Sequence, residues 1–331
     1  MTISPLILQI LKNKYSWILF GFLINIFSSI IYAQSYINIS SNINEKESPF
    51  WLTSNQLGVY DKSPSIISQS FKGKNNLFKY NFIVVLNSRD FSKFYIPIAS
   101  IIKNNKNYQL KAGRWIESLT NESILSTGSL IISKNALPIT KISLRTNEYK
   151  KFSILNFNFS IKAGISHGWM SKEKYIKAPL LHEKFLYINK SFNNQMTFRI
   201  GLVHEAMWGG ETEKHGQQSQ SLNDYLRVLT FSSGSKSSLI QEQINTLGNH
   251  LGVWDIVFSK IQKKLEFKLY YQHPFEDGSG AYQYFFDELK AFHFPSKSFD
   301  GLFGIEIVNN DSKLFNILLY EYLNTMYQSG P

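Results

Sequence analysis

The chain has 331 residues, a formal net charge of +11 and no cysteine, and 15% of it is aromatic, with 26 Phe and 18 Tyr. The missing thiols exclude a disulfide scaffold, a thiolate metal site and a lipoprotein anchor. The basic excess suits an anionic partner such as a lipopolysaccharide phosphate or an acidic polysaccharide. No Arg/Lys-rich block or nucleic-acid motif accompanies it, which sets nucleic acid aside.

Residues 1–33 read as a secretory signal. Lys12 and Lys14 form a basic n-region, Trp17 to Tyr32 is uncharged and apolar, and Ala33-Gln34 is the cleavage point. An uncleaved anchor is the alternative, but the apolar run falls short of the ~20 residues a bilayer span needs. No later stretch is long and apolar enough for a membrane helix, so any later crossing must be made by β-strands.

Residues 34–75 are mixed and polar, with SPFWLTSNQLGVYD from Ser48 as their aromatic landmark, and are assigned to an N-terminal periplasmic or plug segment. From residue 76 to 331 strands follow at short intervals. Phe78, Tyr80, Phe82, Val84 and Leu86 line one face of the first, and a similar run covers Gln109 to Gly113. Phe157, Phe159, Ile161, Ala163 and Ile165 alternate with polar residues that include Lys162. Met196, Phe198, Ile200 and Leu202 alternate with Gln195, Thr197, Arg199 and Gly201; Leu265, Phe267, Leu269 and Tyr271 alternate with Lys264, Glu266, Lys268 and Tyr270. Such period-2 runs have the length of a tilted membrane strand. A soluble sandwich also alternates, but here the polar face carries charge along whole strands. Many aromatics at a mean hydropathy of only −0.18 fit a barrel with an apolar outside and a polar inside. A base-composition bias toward Lys, Asn, Ile, Phe and Tyr accounts for part of the aromatic excess and none of the alternation.

The stretch from Gly209 to His250 breaks the pattern. It is polar and rich in Gln, Ser and Gly, with a short helix expected over Leu222 to Phe231, capped near Asn223 or Asp224. In a barrel it is an extracellular loop or one folded into the lumen. The chain stops on Gly330-Pro331 just past a strand, so closing strands are expected to be missing.

Between Leu180 and Gly280 strands run into knots of His, acid, Trp and Gly: LHEKFLY, GLVHEAMWGG, LGNHLGVWD and YQHPFEDGSG. His182-Glu183 and His204-Glu205 suggest a zincin, but that motif needs a second His four residues on, where Leu186 and Trp208 stand. Paired acids for glycoside cleavage are available among Glu183, Glu205, Asp255, Glu276, Asp277, Asp300, Glu306 and Glu321, with no spacing to choose a pair. Glu276 to Gly280 lacks the spacing of a calcium loop. Trp208, Trp254, Tyr282 and Tyr284 suit either stacking on sugar rings or marking a membrane interface.

These knots, with DGLFGIEI from Asp300, LLYEYLNTMYQSGP from Leu318 and SPFWLTSNQLG near the mature N-terminus, resemble the Wzi-type capsule assembly proteins of Gram-negative outer membranes. The resemblance implies an all-β fold, a transmembrane antiparallel β-barrel of about 18 strands, with a small helical element near the N-terminus. It implies a non-catalytic, lectin-like protein of the outer membrane that assists capsule assembly and holds capsular polysaccharide or exopolysaccharide at the cell surface. Outer-membrane lipid, lipopolysaccharide and the polysaccharide export machinery are the further partners, with no cofactor and no metal. The knots and the inward cations give the candidate ligand-binding residues: His182, Glu183, Arg199, His204, Glu205, Trp208, Asn249, His250, Trp254, Asp255, His273, Glu276 and Asp277. A secreted carbohydrate-active hydrolase and a passive porin are the alternatives.

Overall fold

A computed structural model describes residues 33–41, 54–58, 65–74, 78–87, 94–120, 123–155, 157–170, 175–193, 195–276, 300–309, 311 and 315–326. The signal segment up to residue 32, Asp277, Tyr282, Tyr284 and the last five residues lie outside them. The chain divides into two compact units: residues 1–103 with 113–115 and 135–138, and residues 104–112, 116–134 and 139–331.

The first unit carries β1 (Ala33–Ser41), β2 (Ser65–Lys74), β3 (Lys79–Asn87) and β4 (Phe94–Asn104), antiparallel in chain order. β1 and β2 therefore fall within the segment assigned to a periplasmic or plug role. The β3–β4 register slips where Ile83 pairs Ile98 and Val85 pairs Tyr95. Ile96 and Pro97 then oppose Val84 alone. Pro97 has no N–H to give the ladder, and a bulge is where a strand tolerates it.

In the second unit β5 (Tyr108–Arg114) lies beside β6 (Thr140–Thr146). From β6 an antiparallel meander runs through β8 (Phe157–Trp169), β10 (Leu180–Asn193), β11 (Met196–Trp208), β14 (Asn249–Gln262), β15 (Leu265–Glu276), β16 (Gly301–Asn309) and β17 (Ile317–Asn324). β7 (Lys150–Ile154) pairs β8, and β9 (Ile176–Lys177), β12 (Glu211–Thr212) and β13 (Gly216–Gln217) form a small separate sheet. The β10–β11 and β14–β15 connections are tight, whereas residues 209–248 link β11 to β14 and residues 277–300 link β15 to β16.

Alternation gives this sheet two distinct faces. One carries Ile142, Leu144, Leu186, Ile188, Leu269, Ile305, Leu318, Tyr320 and Tyr322, all exposed. The other carries Lys141, Ser143, Ser166, Glu183, Asp255, Gln272 and Glu306, all buried. Exposed apolar groups opposite buried charges is the reverse of a soluble sandwich, whose apolar face goes inward. The polar face is termed inner here, and the apolar face outer.

The inner face is covered by the connection between β5 and β6, residues 116–134. Leu119, Ile131 and Ile132 pack with Phe185, Tyr187, Val203 and Val253, and Leu130 packs with Val257, Tyr270 and Leu302. The excursion 209–248 packs on the outer face. Its helices are α1 (Leu222–Leu229) and α2 (Ile240–Ile244). This excursion, expected as an extracellular loop or one folded into the lumen, packs on the apolar face: Val228, Tyr225 and Leu247 bury against Ala206, Trp208 and Leu180. The first helix starts at Leu222 as expected but ends at Leu229, and its cap precedes Asn223 and Asp224. Ser221 is its N-cap, its hydroxyl accepting from the Asp224 N–H while the Asp224 carboxylate accepts from the Ser221 N–H. This is a capping box with Asp at N3. No helix is long and apolar enough to cross a membrane among the described residues.

Candidate functional site

The middle of the inner face is a buried ion network. Arg145 on β6 donates through both terminal nitrogens to Glu117, at 2.8 and 2.9 Å. Lys141, two pleats along, reaches Glu117 at 3.1 Å and Glu183 on β10 at 2.5 Å. Ser166 on β8 donates to the second Glu183 oxygen at 2.8 Å. Glu205 on β11 stands directly across from Glu183. The four paired side chains are at most 9% exposed, so each depends on its partner. Removing one member of such a pair strands a buried charge at a cost of about 3–5 kcal/mol. The network fixes the 116–134 segment and sets three strands in register.

Beside it, toward the tight-turn end, is a cavity of about 290 Å³ lined by Leu119, Asn147, Glu148, Tyr149, Lys162, Phe185, Tyr187 and Arg199. The Lys162 ammonium lies 5.9 Å from the Tyr149 ring centre, and the Arg199 guanidinium lies 5.7 Å from that of Tyr187. Neither cation forms an ion pair among the described residues, and Arg199 Nε is buried without a hydrogen-bond partner. Tyr187 donates to Asp255 Oδ2 at 3.1 Å, which sets its ring plane. That ring lies over Gly201, its register partner on β11. A Cβ at 201 would come within 2.0 Å of the ring, so glycine is required for this close approach. Phe185 lies over Gly164 and Tyr270 over Gly304 in the same direct pairing. Glycine opposite a large aromatic thus recurs along this face. The cavity joins two cations and the Glu148 carboxylate to three aromatic rings, with the hydroxyl and amide groups of Tyr149 and Asn147 among its lining. That set can pair with a carboxylate, stack on an apolar sugar face and bond hydroxyls.

Farther along, Lys268 pairs Glu306 at 2.6 Å. Glu321 accepts from Tyr270, from the Ser126 hydroxyl at 2.7 Å and from the Thr127 N–H at 2.8 Å. Gln272 accepts from the Leu130 N–H at 3.3 Å. These contacts tie residues 126–130 to the inner face.

The histidines gather on the opposite face. His167, His182, His204 and His250 lie with Trp208 beneath Tyr225 of α1 and Phe231 just after it. His250 Nε2 donates to the Leu247 carbonyl at 2.8 Å, which leaves its Nδ1 to accept from His204 Nε2 at 2.9 Å. Lys184 donates to the Leu229 carbonyl at the end of α1 and lies 4.4 Å from the centre of the Phe231 ring. Burial raises the Tyr225 phenol above its ordinary value. No group of three His, Asp or Glu side chains is arranged to hold a metal among the described residues.

The residues singled out from the sequence therefore divide. Glu183, Arg199, Glu205 and Asp255 share the inner face. His182, His204, Trp208 and His250 share the outer face beneath α1. Trp254 and His273 are cross-strand neighbours on the outer face, with His273 beside the Tyr271 hydroxyl and the Asp300 carbonyl, each at 2.9 Å. Asn249 and Glu276 are exposed at strand ends. Sequence reasoning did not single out Glu117, Lys141, Arg145 or Tyr187. Lys141, Ser143 and Arg145 alternate with Ile142 and Leu144, the signal that could have found the two cations. Glu117 lies outside any strand and carries no periodic signal.

A protein-family model described as "Capsule assembly protein Wzi" matches residues 84–328, more than half of the chain. No curated protein matches it.

Proposed function

The chain belongs to the Wzi capsule assembly family, and from that premise we propose that it is a non-catalytic outer-membrane β-barrel that grips an acidic surface polysaccharide on its inner face. The outer face lies against lipid and the 116–134 segment occupies the lumen. The observation that carries the reading is the inner-face cavity, in which Lys162 and Arg199 stand beside Tyr149 and Tyr187 and neither comes within ion-pair distance of a carboxylate among the described residues. A partly buried cation with spare donors attracts a carboxylate or phosphate on a sugar, and a charge-assisted bond of this kind contributes about 1.5–3 kcal/mol. The long connection 209–248 takes the extracellular side and the tight turns the periplasmic side, as in barrels of this class. Exposed Phe152, Phe157 and Phe192 near the tight turns would then form the periplasmic aromatic girdle.

The test is a gene deletion complemented by wild-type chain or by the Lys162→Gln/Arg199→Gln double variant. Deletion releases polysaccharide into the medium with synthesis intact, and only the wild-type chain restores cell-associated polymer. Full restoration by a correctly inserted double variant overturns the assignment of the cavity.

A further inference from the structure

The excursion 209–248 is anchored to the outer face at one end of the strands, and its outward surface sets two pairs of exposed aliphatic side chains among polar ones. On β10 the outer-face positions pass from buried His182 and half-buried Lys184 beneath α1 to exposed Leu186 and Ile188. The excursion is thus continuous with the bare apolar face. α1 turns Asp224, Tyr225 and Val228 toward the sheet, and Leu222 and Leu226 point away from it at 75% and 48% exposure. α2 repeats the arrangement with Ile240 and Ile244, at 75% and 83% exposure. Both pairs are spaced i, i+4 and so form a stripe on one side of each helix. Single exposed aliphatics need no explanation, but a paired set on a segment packed on the apolar face does. The excursion carries Lys214, Arg227 and Lys236 against Glu211, Glu213, Asp224 and Glu242, so charge does not drive it to an anionic surface.

We infer that residues 209–248 form an interfacial collar, with the Leu222/Leu226 and Ile240/Ile244 stripes seated in the boundary between lipid headgroups and acyl chains. This rests on the membrane reading above. Short helices lying in the interface bury their apolar side about 5–10 Å into that boundary. The collar buries the His and Trp side chains of β10, β11 and β14 on its inner side and meets lipid on its outer side.

The absence of cysteine makes a clean test available. Single cysteines at Leu226, Ile244, Leu186 and Ser237 are labelled with bimane in the full chain, refolded into phosphatidylcholine vesicles carrying nitroxide lipids. The shallow nitroxide quenches positions 226 and 244 several-fold more than the deep one, the deep nitroxide quenches 186, and only aqueous iodide quenches 237, which lines a polar loop pocket. If 226 and 244 respond to iodide alone while 186 responds to the deep nitroxide, the collar is overturned and the barrel stands. If 186 also responds to iodide alone, the membrane reading falls and the collar with it. Leu222→Cys and Ile240→Cys, both at exposed positions, provide a second pair for the same measurement.

Discussion

His182 and Glu183 are consecutive on β10 and face opposite sides of the sheet: the imidazole packs beneath α1 against Tyr225, and the carboxylate joins Lys141 and Ser166 on the inner face. His204 and Glu205 repeat the division on β11, with Glu205 across from Glu183. A dipeptide that looks like one half of a metal motif is therefore two residues with separate surroundings.

Replacing His182 tests that separation. Both of its ring nitrogens are buried without partners, and an unpaired buried polar group is itself unfavourable. His182→Phe keeps the ring contacts and is expected to change stability by no more than about 1 kcal/mol, or to raise it. Polysaccharide binding should not change. Thermal unfolding of the vesicle-inserted chain and a binding titration check both outcomes.

Glu117→Gln should be far more damaging. It leaves Arg145 and Lys141 short of a buried counter-charge, at a cost of about 3–5 kcal/mol. The exposed pair Lys264–Asp311 provides the contrast, since Lys264→Ala should cost no more than about 1 kcal/mol. Urea unfolding followed by tryptophan fluorescence distinguishes the two. Equal midpoints would remove the ordering role of the network.

Gly201→Ala places a methyl where the Tyr187 ring lies. Overpacking of this kind costs about 1–3 kcal/mol, and the displaced ring no longer walls the cavity. Tyr187→Phe keeps the wall and removes only the bond to Asp255. Binding should fall in the first variant and largely persist in the second, with unfolding curves measured beside the titrations.

Ser221→Ala removes the hydroxyl that caps α1, a loss of about 1 kcal/mol. The helix docks through few buried side chains, so the effect should be local: faster protease cleavage within 209–248 with unchanged global unfolding. Cleavage at the wild-type rate would show that docking alone holds the helix.

Much of the fold was legible because alternation is a local signal. The runs at 157–166, 196–202 and 265–271 lie in β8, β11 and β15, and Lys162, Arg199 and Lys268 share the polar face of the sheet. The fate of the two long connections was not legible. Residues 116–134 lie on the inner face through scattered contacts of Leu119, Leu130 and Glu117, whose partners are far away in sequence. The excursion 209–248 reads as polar, yet Tyr225, Val228 and Leu247 turn it onto the outer face. The His-acid knots misled because adjacent residues on a strand point to opposite sides.

The most direct test of the central claim is a titration of the refolded chain with purified acidic capsular polysaccharide, wild type against Lys162→Gln/Arg199→Gln, at low and high salt. Loss of two charge-assisted contacts at about 1.5 kcal/mol or more each predicts that binding falls at least about a hundredfold in the double variant. The salt dependence of binding should shrink with it. Equal affinity and equal salt dependence in a folded double variant would contradict the account.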